Sequence, residues 1–263
     1  MRTIAVVNQK GGTGKTTTAV SLSAALAARG ERVLLVDLDP QYSATAWVAA
    51  GPVGRGVFDL FADPDGASLT DLIRPTGMDR LSLAGASAWL VGAERVLAAV
   101  PGAETVLRDH IAALGPDPFD YLVIDCPPTL GVLTVNALTA AREVLVPVEC
   151  HVMGLQGLAQ LEQTVALVRR RLNPALRITG VLACRLDRRT SHGPEVAGEL
   201  RARFPQVYRT AVRENVKLAE CPSMGAPIAV YAPASSGAAD YAALADEVIS
   251  QEAEETYGET TSE

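Results

Sequence analysis

The chain has 263 residues, of which 48% are hydrophobic, and a formal net charge of −7 at pH 7. This length accommodates one large α/β domain or two small ones, with enough apolar residues for a sizeable core. The four cysteines show no CxxC spacing, which argues against a disulfide framework or a zinc site and fits a reducing cytosol. Neither a signal peptide nor an apolar run of about 18 residues is present, so we expect a soluble, cytoplasmic protein.

The charge is unevenly distributed. Residues 251–263 hold five glutamates and no basic residue, and we expect an acidic, disordered tail there, after a single domain spanning residues 1–250. Residues 169–217 instead carry twelve Lys or Arg against four Asp or Glu. The sequence therefore allows a local basic face on an acidic protein.

Short apolar runs alternate with longer helical patterns along the chain. Near-continuous apolar character predicts buried strands at residues 4–7, 33–36, 121–124, 144–148 and 178–183. Helical patterns cover residues 16–29, 155–172 and 194–204, whereas residues 51–118 are less regular, with a strand near residues 81–83. The alternation predicts an α/β fold with a mostly parallel sheet flanked by helices on both faces.

A glycine-rich loop, KGGTGKTT, joins the first strand to the first helix. Backbone N–H groups in such a turn converge on phosphate oxygens, and the helix N-terminus adds its positive dipole end. We expect Lys15 to reach the β- and γ-phosphates and the Thr16 hydroxyl to bind Mg²⁺. The loop predicts a P-loop NTPase that uses ATP and Mg²⁺, with phosphate contacts from Lys10, Gly11, Gly12, Thr13, Gly14, Lys15, Thr16 and Thr17.

Aspartates follow two of the predicted strands. Alternation places Asp37 and Asp39 on the same side, near the carboxyl end of the second strand, where nucleotide sites form. Asp125 ends the apolar run at residues 121–124, the pattern of a Walker B strand, so we expect it near Mg²⁺, directly or through water.

Lysine is rare in this chain, which has twenty arginines and three lysines, Lys10, Lys15 and Lys217. Where arginine is so strongly preferred, a lysine indicates a site that needs a compact, flexible point charge, although chance is the alternative.

The early Lys10 gives the loop the pattern KGGxGKTT, and in this the sequence resembles the ParA/MinD family of deviant Walker A ATPases. The resemblance spans roughly residues 2–249, includes the stretch PPTLG at residues 127–131, and is closest to the small chromosomal ParA group, also called Soj. It implies an ATP-sandwich homodimer in which Lys10 crosses the interface to the partner's nucleotide. The alternative is that Lys10 serves only its own subunit.

The resemblance also assigns the aspartates. It implies that Asp39 positions the attacking water, which makes Lys10, Lys15 and Asp39 the expected catalytic residues. Asp37 is expected to support Mg²⁺ or the loop, alongside Thr16 and Asp125. Where the family often has Gly-Asn after DPQ, this chain has Tyr42-Ser43, a departure in the switch loop.

Towards the C-terminus, residues 212–225 resemble the ParA loop and helix beside the adenine. The implied adenine contacts are Arg185, Arg213, Glu214 and Asn215, with Arg213-Glu214 standing where many relatives have Pro-Arg. Two further positions, Arg189 and Lys217, match residues that bind DNA in the small ParA group. A solvated, arginine-rich face is the alternative for these two.

The function implied by this resemblance is DNA partition, in chromosome or plasmid segregation. An ATP-bound dimer would bind double-stranded DNA without sequence preference in the nucleoid and leave it on slow hydrolysis stimulated by a ParB-like partner. A positioning ATPase for another cargo is an alternative. MinD-like membrane binding is a second, but the ending EAEETYGETTSE has the wrong charge and no apolar face, so no membrane partner is expected. A regulatory module without turnover is disfavoured by the intact Lys15, Asp39 and Asp125.

Overall fold

The computed structural model describes residues 1–116, 118–149, 156–186, 198–202, 204 and 206–260. Within these residues, eight strands form one sheet in the order β3-β4-β2-β5-β1-β6-β7-β8, and all neighbours are parallel except β3, which is antiparallel to β4. The strands are β1 (Arg2–Val6), β2 (Val33–Asp37), β3 (Ile73–Pro75), β4 (Leu81–Ala84), β5 (Tyr121–Asp125), β6 (Glu143–Glu149), β7 (Arg177–Leu186) and β8 (Val207–Arg213).

Helices connect the strands and cover the sheet. They are α1 (Lys15–Ala28), α2 (Ser43–Val48), α3 (Phe58–Ala62), α4 (Leu69–Leu72), α5 (Ala93–Leu97), α6 (Val106–Ala112), α7 (Val132–Ala140), α8 (Gln156–Arg171), α9 (described at residues 198–202), α10 (Val216–Met224), α11 (Ile228–Tyr231) and α12 (Ser236–Thr260), with a short 3₁₀ helix at Ala88–Gly92. Within the described ranges, no helix combines the length and apolar character that crossing a bilayer requires.

The core has two layers, one on each face of the sheet. Successive strand residues point to opposite faces, so Ile4 packs in the layer that contains Leu22 of α1 and Leu244 of α12. Its neighbour Ala5 packs in the other layer, with helices that include α7 and α8. Because both faces are covered, the central strands are apolar at almost every position, as the sequence indicated.

The five predicted strands and the strand near residues 81–83 are confirmed, as are the helices predicted at residues 16–29 and 155–172. The helix predicted at residues 194–204 lies largely outside the described residues, but 198–202 are helical. The prediction missed β8 and β3. In β8, exposed or half-buried positions interrupt the buried Tyr208 and Val212, so this edge strand lacks a continuous apolar signal.

The expectation of a disordered tail needs correction, because the backbone of α12 stays helical as far as Thr260. The segment is polar, but alanine and glutamate are good helix formers. A helix whose earlier turns are packed also extends more easily than an isolated one, since no new nucleus is needed.

The parallel arrangement brings the carboxyl ends of β1, β2, β5, β6, β7 and β8 to one edge of the sheet. The glycine-rich loop follows β1 at this edge, and Asp37, Asp125 and Glu149 end their strands there. Polar groups from distant parts of the sequence therefore meet where open α/β sheets place their ligand sites.

Candidate nucleotide-binding site

The glycine-rich loop is an open cradle of backbone amides. Gly12 and Gly14 have φ angles of 78° and 88°, in the left-handed region that favours glycine. A Cβ added at Gly11, Gly12 or Gly14 would meet nothing within 4 Å among the described residues, so the concave side of the loop is free. No side chain of the described chain caps the start of α1, which leaves its first N–H groups available to an anion.

Lys15 places a buried ammonium group against this cradle. Lys15 is only 7% exposed, and its Nζ donates a hydrogen bond to the carbonyl oxygen of Lys10 at 3.2 Å. Burial lowers the pKa of Lys15, while the nearby Asp125 and Asp39 carboxylates oppose that shift. A buried cation with few partners gains from an incoming phosphate, which matches the role expected for Lys15.

Lys10 is held differently. Its backbone N–H donates to Asn8 Oδ1 at 3.0 Å, and Asn8 Nδ2 donates to the carbonyl of Pro147 at 2.7 Å. Its ammonium group lies 3.1 Å from Glu149 Oε2, at the end of β6, and 42% of the side chain is exposed. The Lys10 side chain therefore lies at the surface of the site, in contact with β6.

Asp37 is completely buried and fully hydrogen-bonded. One oxygen accepts the N–H of Asp39 at 3.1 Å, and the other accepts the N–H and the hydroxyl of Thr45 at 2.8 and 2.7 Å. Burial raises the pKa of Asp37 to about 6, against the hydrogen bonds from Thr45 and Asp39, which lower it. Since both oxygens are engaged, loop support fits Asp37 better than direct metal ligation.

Asp125 lies beside Asp37 in the register of β2 and β5, and it is also completely buried. Neither of its carboxylate oxygens accepts a hydrogen bond within the described part of the chain. Burial and then the charge of Asp37 raise the pKa of Asp125 well above its ordinary value, while Thr16 and Lys15 oppose the shift. An unpartnered buried carboxylate beside a threonine hydroxyl fits a hard cation such as Mg²⁺.

Asp39 begins a tight turn at the same edge and is 8% exposed. Its Oδ1 accepts the N–H of Gln41 at 2.9 Å, and its carbonyl accepts the N–H of Tyr42 at 2.8 Å. Tyr42 has a φ of 45°, an uncommon conformation for a residue with a side chain. The turn keeps the Asp39 carboxylate beside Lys15 and Asp125, whose pKa values it influences.

A cavity of about 410 Å³ opens next to the loop. It is bounded on one side by the loop and α1, and on the other by the end of β8 and the start of α10. All four residues expected near the adenine lie on its wall, which is formed by Gly12, Gly14, Thr17, Cys184, Arg185, Val212, Arg213, Glu214, Asn215, Val216, Leu218, Ala219 and Tyr241.

Two of these four side chains already form hydrogen bonds within the protein. The Arg213 guanidinium makes a two-pronged ion pair with Asp240, with Nη2 2.6 Å from Oδ1. Asn215 caps α10 by accepting the N–H of Lys217 at 2.8 Å, and its Nδ2 donates to Ser236 Oγ at 2.7 Å. The side chains of Arg213 and Asn215 therefore form part of the cavity wall. At these two positions, contacts with an adenine base would come from backbone groups and from neighbouring apolar side chains.

Of the two arginines expected near the adenine, Arg185 has the more exposed side chain. Its guanidinium lies 3.2 Å from Glu149 and 3.9 Å from Glu214, and 56% of the side chain is exposed. Its φ of 54° lies in the left-handed region, a costly conformation for a residue with a side chain.

Sequence reasoning missed two residues of the site, Thr45 and Glu149. Thr45 gave no signal, because its contact with Asp37 depends on how α2 folds back onto β2. Glu149 did give one, since it ends an apolar strand at residues 143–149 just as Asp125 ends β5.

Of the two positions expected to bind DNA, Arg189 lies outside the described residues. Lys217 lies in the first turn of α10, where its Nζ is 2.8 Å from Glu220 Oε2 and 5.5 Å from the ring centroid of Tyr231. Arg209 and Arg213 also pair with acidic side chains. The described part of the expected basic face is therefore more nearly neutral than its count of arginines suggests.

Comparison with known proteins adds an independent result. A profile described as an AAA domain matches residues 1–178, more than half of the chain. The sporulation initiation inhibitor protein Soj of Bacillus subtilis is 46% identical over 93% of this chain and 97% of its own length. The chromosome-partitioning ATPase Soj of Thermus thermophilus is 46% identical, with 95% and 96% covered. This chain belongs to the ParA/Soj family of chromosome-partitioning ATPases.

Solved structures of related proteins have the same fold as this chain. A Mycobacterium smegmatis protein described as cobyrinic acid a,c-diamide synthase, crystallised with ADP and magnesium, superposes with a TM-score of 0.82 at 34% identity, covering 95% of this chain and 94% of that one. The cell division ATPase MinD of Pyrococcus furiosus gives a TM-score of 0.78 at 28% identity, with 95% and 99% covered. The predicted P-loop α/β fold is confirmed.

Proposed function

We propose that this member of the family hydrolyses ATP at the described site and uses the cycle to bind and release DNA. The observation that carries the proposal is the meeting of Lys15, Asp39 and Asp125 at one edge of the sheet, beside an open loop of backbone amides. These groups supply a cation for phosphates, a carboxylate for water and a carboxylate for a metal ion.

In the proposed reaction, the loop amides and Lys15 would bind the phosphates, and Asp125 and the Thr16 hydroxyl would hold Mg²⁺. When bound, the ion neutralises charge on the phosphate oxygens. Asp39 orients a water molecule for in-line attack on the γ-phosphorus, and the bond to the bridging oxygen breaks to give ADP and phosphate. Positioning and charge stabilisation dominate such a reaction, so the turn that holds Asp39 contributes by fixing the position of its carboxylate.

We propose that ATP joins two copies of the chain face to face, with Lys10 contacting the nucleotide of the partner subunit. The position of Lys10 supports this, because its ammonium group lies at the exposed rim of the site while Lys15 occupies the buried position against its own loop. Loss of the γ-phosphate would remove contacts that hold the dimer, so hydrolysis would separate the subunits.

The DNA-binding surface in this proposal includes Lys217 and Arg189. Helix α10 supports a link to the nucleotide, because Leu218 and Ala219 line the cavity while the neighbouring Lys217 side chain is half exposed. A ligand in the cavity thus contacts the helix that carries the proposed DNA contact. In a dimer each contact is present twice, and neutralising phosphates needs no particular base sequence.

The cargo in this proposal is the chromosome or a plasmid, the site of action is the nucleoid, and a ParB-like protein stimulates turnover. The names of the relatives support the chromosome as the cargo. One of them, from Caulobacter vibrioides, is 43% identical over 96% of this chain and is a chromosome partitioning protein ParA. The acidic C-terminal sequence gives no support to an anionic membrane as the partner.

An ATP-dependent gel-shift on duplex DNA of unrelated sequences tests the proposal. We expect a shift with ATP and Mg²⁺ but not with ADP, and we expect Asp39→Ala to keep the shift while losing turnover. Lys15→Ala serves as the control, because it should lose nucleotide binding and the shift together. No shift at any ATP concentration would contradict the DNA function, and normal turnover by Asp39→Ala would contradict the role of that carboxylate.

A further inference from the structure

Glu149 bridges two cations at the mouth of the nucleotide site. Its Oε2 lies 3.1 Å from the ammonium group of Lys10, and its Oε1 lies 3.2 Å from the guanidinium of Arg185. The carboxylate is the most enclosed of the three groups, with 16% of its side chain exposed against 42% and 56% for the cations. Glu149 is therefore the shared counterion of the two cations.

The bridge depends on three separate elements. Lys10 belongs to the loop after β1, Glu149 ends β6, and Arg185 lies near the end of β7. These strands are neighbours in the order β1-β6-β7, so the sheet fixes the carboxylate between the two cations. Asn8 adds to this, because it joins the backbone of Lys10 to the carbonyl of Pro147, two residues before Glu149.

From this geometry we propose that Glu149 is a positioning residue that retains Lys10 on its own subunit until ATP-bound subunits meet. The proposal rests on the function proposed above, in which Lys10 reaches the partner's nucleotide. In the separate subunit, the negative charge of Glu149 stabilises Lys10 along β6. On dimerisation, Lys10 exchanges this carboxylate for phosphate, so the cost of breaking the pair weakens assembly.

The free energy of the Lys10–Glu149 ion pair indicates how much Glu149 can change the dimerisation equilibrium. The pair is partly exposed, and such pairs contribute about 0.2–1 kcal/mol, which corresponds to about 1.4- to 5-fold in an equilibrium constant. A nucleotide phosphate carries more charge than one carboxylate, so the exchange favours the dimer once ATP is present. Glu149 thereby adjusts the ATP-dependent equilibrium without preventing it.

The first experiment measures the pair directly in nucleotide-free, full-length protein. The chain has three lysines, so amine acetylation by a limiting reagent can be followed at each by peptide mass spectrometry. We expect Glu149→Gln to speed acetylation of Lys10 by about 2- to 5-fold relative to Lys217, which serves as the internal reference. Glu149→Asp, which keeps the charge, should give a smaller change. An unchanged ratio in Glu149→Gln would overturn the proposal.

The second experiment measures dimerisation by sedimentation in the presence of ATPγS and Mg²⁺. Because two Lys10–Glu149 pairs break in each dimer, we expect Glu149→Gln to lower the dimer dissociation constant by about 2- to 25-fold, and to have no effect when Lys10→Ala is already present. Asp109→Asn is the control, because it also removes a carboxylate from an ion pair, with Arg108 at 2.9 Å, but lies in α6, outside the nucleotide site, and it should leave the dimer dissociation constant unchanged. Weaker or unchanged dimerisation in Glu149→Gln would overturn the proposal.

The two experiments separate this inference from the proposed function. If Lys10 becomes more reactive in Glu149→Gln but the unmodified protein never dimerises with ATPγS, the ion pair stands and the sandwich dimer fails. If the unmodified protein dimerises but Glu149→Gln changes neither measurement, the dimer stands and the role of Glu149 fails.

Discussion

Asp37 and Thr45 are joined by two hydrogen bonds, in which the N–H and the hydroxyl of Thr45 donate to the same carboxylate oxygen at 2.8 and 2.7 Å. The Thr45 hydroxyl also accepts the N–H of Ala86 at 2.8 Å. One side chain thus connects the end of β2, the start of α2 and the segment after β4. The turn that carries Asp39 lies between the two joined residues.

The first prediction concerns this connection. Thr45→Val keeps the volume but removes the hydroxyl, leaving the Ala86 N–H and one Asp37 oxygen short of a partner in a buried site. We expect a loss of about 1–3 kcal/mol in the free energy of unfolding. Turnover of ATP should also fall, because the Asp39 turn is less well fixed. Urea titration and a phosphate-release assay measure the two effects. Thr45→Ser keeps the hydroxyl, and if it were as damaging as Thr45→Val, the hydrogen bonds would not be the cause.

The second prediction concerns the pH dependence of stability without nucleotide or Mg²⁺. Burial raises the pKa of Asp37 to about 6, above its ordinary value of 3.8. Between these values the folded state retains a proton that the unfolded state has lost. The contribution of Asp37 to stability is therefore fully present below about pH 4 and is lost as pH rises through about 6 and beyond, by something on the order of 3 kcal/mol in all.

The comparison that measures this contribution is between the unmodified protein and Asp37→Asn. The charge of Asp37 also raises the pKa of Asp125, so the difference between the two curves includes the response of this neighbouring carboxylate. We expect the unmodified protein to lose stability relative to Asp37→Asn from pH 4 to pH 6. Parallel curves would show that Asp37 is ionised in the fold throughout.

The third prediction concerns the proposed DNA surface. Lys217 is paired with Glu220 at 2.8 Å, and Tyr231 donates to the same carboxylate. DNA phosphates must compete with Glu220, so we expect Glu220→Gln to strengthen ATP-dependent DNA binding and Lys217→Ala to weaken it. Lys217→Ala should also make the plot of log affinity against log salt shallower, by about 0.9 for each DNA phosphate that the protein no longer neutralises.

The control for this prediction is ATP-dependent dimerisation, which both variants should retain because neither residue is proposed to contact the nucleotide. Tyr231→Phe removes the hydroxyl but not the ring and should behave much like the unmodified protein. If Lys217→Ala and Glu220→Gln shifted DNA affinity in the same direction, α10 would be disturbed by both changes and its charge would not be the cause.

The fourth prediction concerns a buried ion pair at the opposite edge of the sheet. Arg2 of β1 donates from Nε and Nη2 to the two oxygens of Glu143 in β6, both at 2.7 Å, and from Nη1 to the carbonyl of Val248 in α12. Glu143→Ala would leave a buried guanidinium without its counterion, and we expect a loss of about 3–5 kcal/mol. Arg55→Ala, in an exposed pair with Asp59, should cost less than about 1 kcal/mol. Equal losses in urea titration would contradict the argument from burial.

The sequence was most informative where a local conformation demands particular residues. Gly12 and Gly14 occupy left-handed backbone, and Asp125 ends a strand buried on both faces, so their spacing alone indicates the loop and the carboxylate that we propose for the metal ion. The contact between Glu149 and Lys10 could not be predicted in this way. It arises because β1 and β6 are adjacent in the sheet, and strand order is not encoded in any short segment.

The same distinction explains the errors in the fold. Strands in the centre of the sheet are apolar throughout, whereas β8 at its edge mixes buried and exposed positions and gives no clear period. The acidic segment after Gln251 was predicted to be disordered from its composition, but its backbone continues a helix whose earlier part is packed on α1.

That last helix has a practical consequence for following the protein in cells. Tyr241 of α12 lines the nucleotide cavity and lies 3.2 Å from the Thr18 hydroxyl, whereas Thr260, at about 1.5 Å of rise per residue, is about 28 Å further along the axis. A fluorescent protein fused beyond Thr260 would therefore be separated from this cavity by several turns of α12. A fusion ahead of Met1 would instead be attached next to β1, where Arg2 forms a buried ion pair with Glu143.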